Sequence, residues 1–437
     1  MHLFCENNLP NLTKAWSGKF KGLDTGKESY EISHDKWKEI GQETVDSVKH
    51  IPASFVGRLG NVADDSGNYT AESWAFWFMY IAPYVMHERF SSEKYYIHMC
   101  QLVDIMKTTL QFTLKRSELP KLRATIIDWV KKYEEYYYQY KSERLSFCLL
   151  VVHGLLHLVD DIEYAGPMWA TWTFYIERFC GFLKSAMKSR RYPWANLNNK
   201  AINLAYLEQL NVRYDLQNEL GLLKKDSSKP TKFERLYPKY PQTMLGAPHQ
   251  QIYEPDNNVR RLIAVYLQAL VGGSVSSIQR LLPKSMSTWG KVRILPRGDT
   301  IHCSHSGHKE RDSSYVRYEF LDTQSGKRMI YYGQLEQIIV CQLSNDRQLW
   351  DQYANQTILL ALLTPCQTHG RDATEELTWY TTYLKPRILD IKAIQCVVGR
   401  VYSRNKWGII DRSDDQARTL FVDTEVEGGL DSDSDSE

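Results

Sequence analysis

The chain has 437 residues, enough for two or three domains, and its 43% hydrophobic and 24% charged residues are ordinary for a globular protein. Its formal net charge of +2 does not by itself indicate a partner, because seven acidic residues and no basic one follow Leu420. The eight cysteines are scattered without a CxxC pair, and the most apolar window, residues 75–86, is too short to span a bilayer. We therefore expect an intracellular protein with no membrane partner.

Residues 1–215 are predicted to form a mainly helical region. Helical periodicity runs through three segments, residues 28–50, 93–114 and 118–141. Thr70 stands where it can cap the N-terminus of a further helix. Five tyrosines between residues 133 and 140 could stack on bases, but packing between helices is the more ordinary use of such rings.

The pattern changes twice after the helical region. Residues 216–285 are predicted to be a linker with one helix, at residues 256–269, because prolines and a basic stretch at 224–230 interrupt them. Short β-type runs, such as SYVRYEFL at residues 314–321 and RMIYYGQLEQIIVCQL at residues 328–343, then predict a small β-rich, barrel-like domain over residues 286–424. Residues 425–437 are acidic, of low complexity and expected to be disordered. The predicted fold class is therefore α+β.

Two histidines, His153 and His157, stand four residues apart in a helical segment. This spacing puts both imidazoles on one face of a helix, where they can bind one zinc ion. Packed or solvated side chains are the more frequent explanation for such a pair. Gly154 occupies the position at which an H-E-x-x-H metalloprotease needs its general-base glutamate, so the pattern disfavours that class.

A glutamate and a run of cations follow the histidines. Glu177 lies among aromatic residues, where a carboxylate is costly unless it pairs with Arg178 or binds a cation. No acidic residue interrupts the five cations Lys184, Lys188, Arg190, Arg191 and Lys200. They can form a surface that contacts phosphates, and a solvated helix face is the alternative. The tract IHCSHSGH at residues 301–308 is similar to a metal site in composition only.

HGLLH at residues 153–157, followed by AGPMWATWTFYIERFCGFLK at residues 165–184, resembles the C-terminal part of CACTA-type (En/Spm) transposases, especially fungal ones. YTAESWAFWF, YEEYYYQY and YPWANLNNKAINLAYLEQL fit the same family, and the resemblance covers nearly the whole chain. It implies a DDE-type nuclease with a partial RNase-H-like core and a helical insertion. In such enzymes three carboxylates hold two Mg²⁺ or Mn²⁺ ions that promote attack on a phosphodiester. The implied partner is transposon DNA, with self-association as a further option, and the implied compartment is the nucleus.

The resemblance also implies roles for individual residues. Glu177 matches the last catalytic carboxylate and is thereby a metal ligand. The recombination-activating nuclease of antigen-receptor assembly, which the family resembles, binds zinc through a histidine pair before that glutamate. By this analogy His153 and His157 are structural zinc ligands, and His2 matches an upstream histidine of the same site.

The sequence departs from the family pattern at the start of the chain. Met1 and His2 look like the end of a family motif, and the first two catalytic aspartates lie upstream of that motif. We therefore expect a truncated transposase that does not cut DNA alone, and that binds Mg²⁺ or Mn²⁺ only if the missing aspartates are supplied. Without an upstream core, residues 1–60 and 145–180 are expected to expose apolar surface.

Other classes of function stay open. A non-catalytic DNA-binding protein derived from a transposon would use the same basic surface without chemistry. A protein-interaction protein would use the β-rich domain, whose residues identify no ligand. An unrelated zinc hydrolase is disfavoured because the sequence offers no third ligand at motif spacing.

Overall fold

A computed structural model describes residues 2–417 except residues 24–25, 58, 186, 188–190, 217–228, 297, 307–309, 322–325 and 327. The side chains of residues 174, 175, 177, 178, 185 and 321 are also outside the description. The predicted acidic tail, residues 425–437, therefore lies outside the described residues.

The first half of the described chain is helical. Its α-helices are α1 (Leu9–Trp16), α2 (His34–Val48), α3 (Ala71–Phe76), α4 (Ala82–Val85), α5 (Glu93–Thr109), α6 (Leu119–Tyr133), α7 (Leu150–Gly154), α8 (Leu158–Ala165), α9 (Met168–Thr171), α10 (Phe174–Ser185) and α11 (Pro193–Tyr214). Wider π-helical turns cover His2–Asn8, Trp77–Ile81 and Glu134–Tyr138, and a 3₁₀ turn covers Leu155–His157. The helices predicted over residues 28–50, 93–114 and 118–141 are confirmed. Thr70 caps α3, because its hydroxyl accepts a hydrogen bond from the Ser73 amide at 3.2 Å.

Large aromatic side chains fill the interior of the helical region. Trp16 is fully buried, and its Nε1 donates a hydrogen bond to the Tyr137 hydroxyl at 2.9 Å. Tyr133 and Tyr137 are buried as well, so these members of the tyrosine cluster pack helices together. The expectation that residues 1–60 expose apolar surface is wrong for their described part, since Phe4 and Leu9 also belong to this core.

The second half of the described chain forms antiparallel sheets. Its strands are β1 (Glu234–Tyr237), β2 (Tyr240–Tyr253), β3 (Met286–Ile294), β4 (Thr300–His302), β5 (Tyr315–Leu321), β6 (Arg328–Gln342), β7 (Thr357–Pro365), β8 (Trp379–Tyr380), β9 (Arg387–Asp390), β10 (Ile394–Val397), β11 (Gly399–Ser403) and β12 (Lys406–Ile410). The larger sheet runs β1-β2-β3-β6-β5-β10, with β4 beside β3 and β7 between β6 and β9, and it curls into a half-barrel. Strands β11, β12 and β8 form a second sheet. The α+β class, with a helical N-terminal region before the sheets, is confirmed.

The segment predicted as a linker with one helix, residues 216–285, differs in the structure. It contains β1 and β2 and two helices, α12 (Asn257–Val271) and α13 (Val275–Leu281). The predicted helix is α12, which Asp256 caps by accepting a hydrogen bond from the Val259 amide at 2.8 Å. Pro248 does not break β2, because the β2–β3 register shifts between Gly246 and His249 and the ladder needs no N–H there.

Helices α12 and α13 pack on the larger sheet and bury Ile263, Leu267 and Ile278 in a second core. Among the described residues, no single helix is long and apolar enough to cross a membrane. Only α12 and α13 taken together, with a bend of 112° between them, reach that length and composition.

The helical region and the sheets share a core. The second sheet lies against the helices: the Tyr84 hydroxyl donates a hydrogen bond to the Ile409 carbonyl at 2.6 Å, and the Arg400 amide donates one to the His50 carbonyl at 3.0 Å. The last described residue, Ala417, bonds through its amide to the Leu110 carbonyl at 2.8 Å. The β-rich part is therefore packed directly onto the helical region, at α4 and at the ends of α2 and α5.

Candidate functional site

The predicted histidine pair lies on one exposed helix face. Helix α7, the 3₁₀ turn Leu155–His157 and α8 follow one another without a break, and their inner face buries Val152, Leu155 and Leu158. His153 and His157 are exposed on the other side. Their Nε2 atoms are 3.2 Å apart and their ring centroids 5.0 Å apart. Burial of the apolar face thus sets the side of the helical run from which both imidazoles project, and their Nε2 atoms lie within hydrogen-bonding distance of each other.

The distance within the pair fits two ligands of one tetrahedral zinc ion. Zinc–nitrogen bonds of about 2.0–2.1 Å at a tetrahedral angle put two ligand nitrogens roughly 3.3 Å apart. Asp160, one turn after His157, is held by Arg123, whose Nη2 donates to its Oδ1 at 2.6 Å. This hydrogen bond lowers the pKa of Asp160. The distance between the two imidazoles is therefore compatible with two of the four ligands of a tetrahedral site.

His2 lies on an element that touches the histidine pair's helix. The turn His2–Asn8 packs on α7, where Asn8 Nδ2 donates to the Val151 carbonyl at 3.2 Å. The His2 imidazole, however, hydrogen-bonds Glu6. Across the described ranges, no three His, Cys, Asp or Glu side chains stand close enough to share one ion. The fold thus brings the two elements together without gathering His2 into a metal cluster with the pair.

Of the predicted catalytic and basic residues, Glu177 and Lys184 belong to α10 and Lys200 to α11, while Arg191 lies between the two helices. The backbone of Glu177 is helical, but its side chain lies outside the described residues, as do Lys188 and Arg190. Lys184 and Arg191 are exposed. Lys200 is half-buried, because its Nζ lies 5.0 Å from the ring centroid of Phe182 on α10. These described cations therefore lie on or beside a pair of helices joined by at least this contact.

Helices α10 and α11, together with Met187 and Tyr192 between them, carry many exposed apolar side chains. Those on the helices are Ile176, Phe179, Phe182, Trp194, Ile202, Tyr206, Leu207, Leu210, Val212 and Tyr214. The predicted exposure of apolar surface thus occurs along the 145–180 segment, where Leu145, Leu150 and Tyr164 are also exposed, and it continues past residue 180. These residues were not predicted as a possible binding surface. Their alternation with Lys184, Arg191 and Lys200 was the available signal.

The tract at residues 301–308 is divided among separate partners. His302 Nδ1 lies 2.9 Å from the Ser313 hydroxyl, and His305 Nδ1 lies 2.9 Å from the Glu336 carbonyl. Cys303 is buried, and burial raises the pKa of its thiol to about 12. His308 lies outside the described residues. The described members thus serve packing and hydrogen bonding within the β-rich part.

Comparisons of the chain with protein-family models, with curated proteins and with solved structures found no match in any of the three. The described residues combine an exposed histidine pair at metal-ligand distance with two following helices that carry cations and exposed rings.

Proposed function

We propose that this chain is a transposase-like protein that binds DNA through α10 and α11 and does not cut DNA by itself. The observation that carries the proposal is the positive charge of residues 184–213. Residues 184–213 contain six Lys or Arg and one acidic residue, a net charge of 6 − 1 = +5 in a chain whose total is +2. Phosphate groups supply the matching negative charge.

The relation to CACTA-type transposases is part of the proposal and rests on the motifs between residues 69 and 210. With it we propose the finer fold relation, a partial RNase-H-like core with a helical insertion, and a nuclear location. The antiparallel half-barrel has no assigned role in this scheme. A protein-interaction role for it is the alternative that the sequence left open.

The histidine pair has a structural role in the proposal. His153 and His157 would hold two positions of a zinc ion, with His2 as a further ligand by resemblance only. A bound zinc ion would crosslink its ligands at a position that precedes α10 in the sequence, and it would take no part in catalysis. What this chain's own residues supply is the apolar-backed helical run from whose exposed side both imidazoles project.

We expect DNA binding without cleavage because only one carboxylate has an assigned catalytic role. The resemblance assigns Glu177 a catalytic role, and one carboxylate is not sufficient to hold two divalent ions for in-line attack. Mg²⁺ or Mn²⁺ would enter the proposal only if further aspartates were supplied. The chain's contribution is then the positioning of DNA on a basic surface.

A binding assay with matched charge variants tests the proposal. Affinity for a labelled DNA duplex is measured across salt concentrations for the chain and for the triple variant Lys184→Gln/Arg191→Gln/Lys200→Gln. The control is Lys36→Gln/Lys38→Gln/Lys121→Gln, which removes three exposed cations from α2 and α6. We expect the slope of log affinity against log salt to fall by about 0.9 for each phosphate that the protein no longer neutralises, in the first variant only.

Three outcomes would overturn the proposal or a part of it. Equal reductions of affinity in both triple variants would contradict the proposal that α10 and α11 bind DNA. So would the absence of salt-sensitive binding by the unmodified chain. Nicking of a supercoiled plasmid in Mg²⁺ or Mn²⁺, abolished by Glu177→Gln, would remove the claim that the chain does not cut. Circular dichroism of each variant verifies that the helices are retained.

A further inference from the structure

The last described residues lie beside α9, and two residues separate α9 from α10. The Phe112 amide donates a hydrogen bond to the Asp415 carbonyl at 3.0 Å, and the Phe112 carbonyl accepts one from Trp169 Nε1 at 3.3 Å. The rings of Phe112 and Trp169 are also in contact, with centroids 5.7 Å apart. Ala417 and Trp172 line one cavity. The acidic end of the chain therefore continues from a point close to the start of α10.

Residues 423–437, the acidic tail, carry the opposite charge to residues 184–213, the basic segment. The acidic tail has seven Asp or Glu and no Lys or Arg, a net charge of −7, and the basic segment has a net charge of +5. Lys184 and Arg191 of the basic segment are exposed. Opposite charges on exposed side chains attract each other within a screening length of about 8 Å at physiological salt. This attraction does not require the cations to share one helix face.

The acidic tail is long enough to reach the basic segment. Its first acid, Asp423, is six residues after Ala417, which allows about 20 Å in an extended chain. Lys184 is ten residues after Phe174, so it lies about 15 Å along α10. The fifteen residues of the tail can extend over about 50 Å, whereas the 22 residues of α11 span about 33 Å. The tail can therefore contact both helices.

Attachment to the same chain favours this tail over a free polyanion as the occupant of the basic segment. A tethered segment has an effective concentration on the order of millimolar at a site within its reach. The tail of a second copy carries the same charge, but it is present only at the concentration of the protein. DNA attracts the same cations, so it has to displace the tail before it occupies the basic segment.

We infer that the acidic tail binds the basic segment of its own chain and competes with DNA for it. The tail carboxylates contact cations such as Lys184, Arg191 and Lys200, to which the proposed function assigns the phosphates of DNA. The inference rests on the proposed function and deepens it, because it adds a regulation of the same site.

Carbodiimide crosslinking tests the contact without DNA. The reagent joins a carboxylate to a lysine amine in direct contact, with loss of one water molecule, and mass spectrometry locates the joined residues. In the full chain we expect crosslinks from the acidic tail to Lys184, Lys188 or Lys200. Absence of these crosslinks overturns the inference. Equal crosslinking of the tail to Lys36, Lys38 and Lys121, the exposed lysines of α2 and α6, overturns it as well.

A pair of charge variants tests the competition with DNA. The tail variant neutralises four acids of the tail: Asp431→Asn, Asp433→Asn, Asp435→Asn and Glu437→Gln. The control variant neutralises four exposed acids elsewhere in the chain: Asp46→Asn, Asp64→Asn, Glu135→Gln and Glu254→Gln. Both variants raise the net charge of the chain by the same amount, so they differ in where the acids are removed. Affinity for a labelled DNA duplex is measured by anisotropy at low and at physiological salt.

We expect the tail variant to bind the duplex at least roughly 5-fold more tightly than the unmodified chain, because coupling between two sites usually amounts to about 5- to 150-fold. The gain should shrink as salt rises, since screening weakens the contact between the tail and the basic segment. The control variant should change the affinity much less. A gain of equal size in both variants overturns the inference.

The failure of this inference can be told apart from failure of the proposed function. Salt-sensitive DNA binding by the unmodified chain, with no gain in the tail variant, overturns the inference and leaves the proposed function standing. Absence of salt-sensitive DNA binding in all three proteins overturns both. Crosslinks confined to pairs of chains, in a mixture of isotope-labelled and unlabelled protein, assign the basic segment to the tail of a second copy and also overturn the inference.

Discussion

The Nε2 atoms of His153 and His157 lie 3.2 Å apart on the exposed face of one helical run. If the pair binds zinc, folded protein is favoured over unfolded protein, by about 2.7 kcal/mol when free zinc is at 100 times its dissociation constant. We expect Zn²⁺ to raise the thermal unfolding midpoint of the chain and not of His153→Ala/His157→Ala. His34→Ala, which removes an exposed histidine of α2, is the control. An equal zinc shift in the double variant would contradict the prediction.

Arg317 is the cation at the centre of a buried charge network. Its guanidinium contacts Asp411 at 2.8 Å, Glu319 at 2.9 Å and Asp372 at 3.1 Å, and the Asp411 side chain is fully buried. Arg317→Met leaves three carboxylates without their central cation, so we expect the free energy of unfolding to fall by about 3–5 kcal/mol. Urea unfolding measures the change.

Arg328 provides the matched control for that network. Its side chain is 79% exposed and contacts Glu319 at 3.7 Å, so Arg328→Met should cost about 0–1 kcal/mol. A destabilisation of similar size in both variants would show that burial of the Arg317 network does not increase its contribution to the free energy of unfolding.

Replacement of two helical glycines by alanine should change the stability of the protein in opposite directions. A Cβ on Gly41 in α2 would lie 2.0 Å from Asn61 Oδ1 and 2.9 Å from the Ala63 Cβ, whereas a Cβ on Gly181 in α10 meets nothing within 4 Å. Gly181→Ala should therefore stabilise the protein by up to about 1 kcal/mol through helix propensity. Gly41→Ala should destabilise it, because overpacking exceeds that gain. Chemical unfolding of both variants is the measurement, and a stabilising Gly41→Ala would refute the close approach.

His98 is expected to make stability depend on pH. Its ring stacks on Trp129 at 4.6 Å, its Nε2 donates to the Trp129 carbonyl at 3.0 Å, and burial lowers its pKa from 6.5 to about 4. Between these two pH values the unfolded chain takes up a proton and the folded chain does not. Stability from this residue is thus complete above pH 6.5 and falls toward pH 4, by about 1.4 kcal/mol per pH unit.

The variant His98→Gln isolates this contribution. Its unfolding free energy should change less steeply between pH 6.5 and 4 than that of the unmodified chain, whatever its absolute stability. His34→Gln should keep the original slope. Identical slopes for all three proteins would mean that His98 does not remain neutral in the fold.

Local periodicity was enough to find most of the elements around the candidate site. Helices α2, α5 and α6 and strands β5 and β6 were predicted because apolar spacing and caps act within a few residues. Strand β7, Thr357–Pro365, was not predicted. Its run TILLALLTP is buried almost throughout, so it lacks the alternation that marks a strand with one solvated face.

Pairing between distant segments was not readable in the same way. The prolines of residues 238–248 pointed to a linker, whereas β2 is held there by its partners β1 and β3. Strand pairing joins residues far apart in sequence, and turn signals in one segment do not reveal it. The core that the helices share with the second sheet also depends on contacts between distant segments, so local sequence signals did not reveal it either.

The sequence by itself determined that His153 and His157 share a face, because a helix brings residues four apart together wherever it packs. It also determined the run of positive charge that follows them. Only the tertiary structure decided which aromatic residues are buried and which are open. Tyr133 and Tyr137 pack against the first helices while Trp194 and Tyr206 stay exposed, and that difference depends on what each helix packs against rather than on the residues within it.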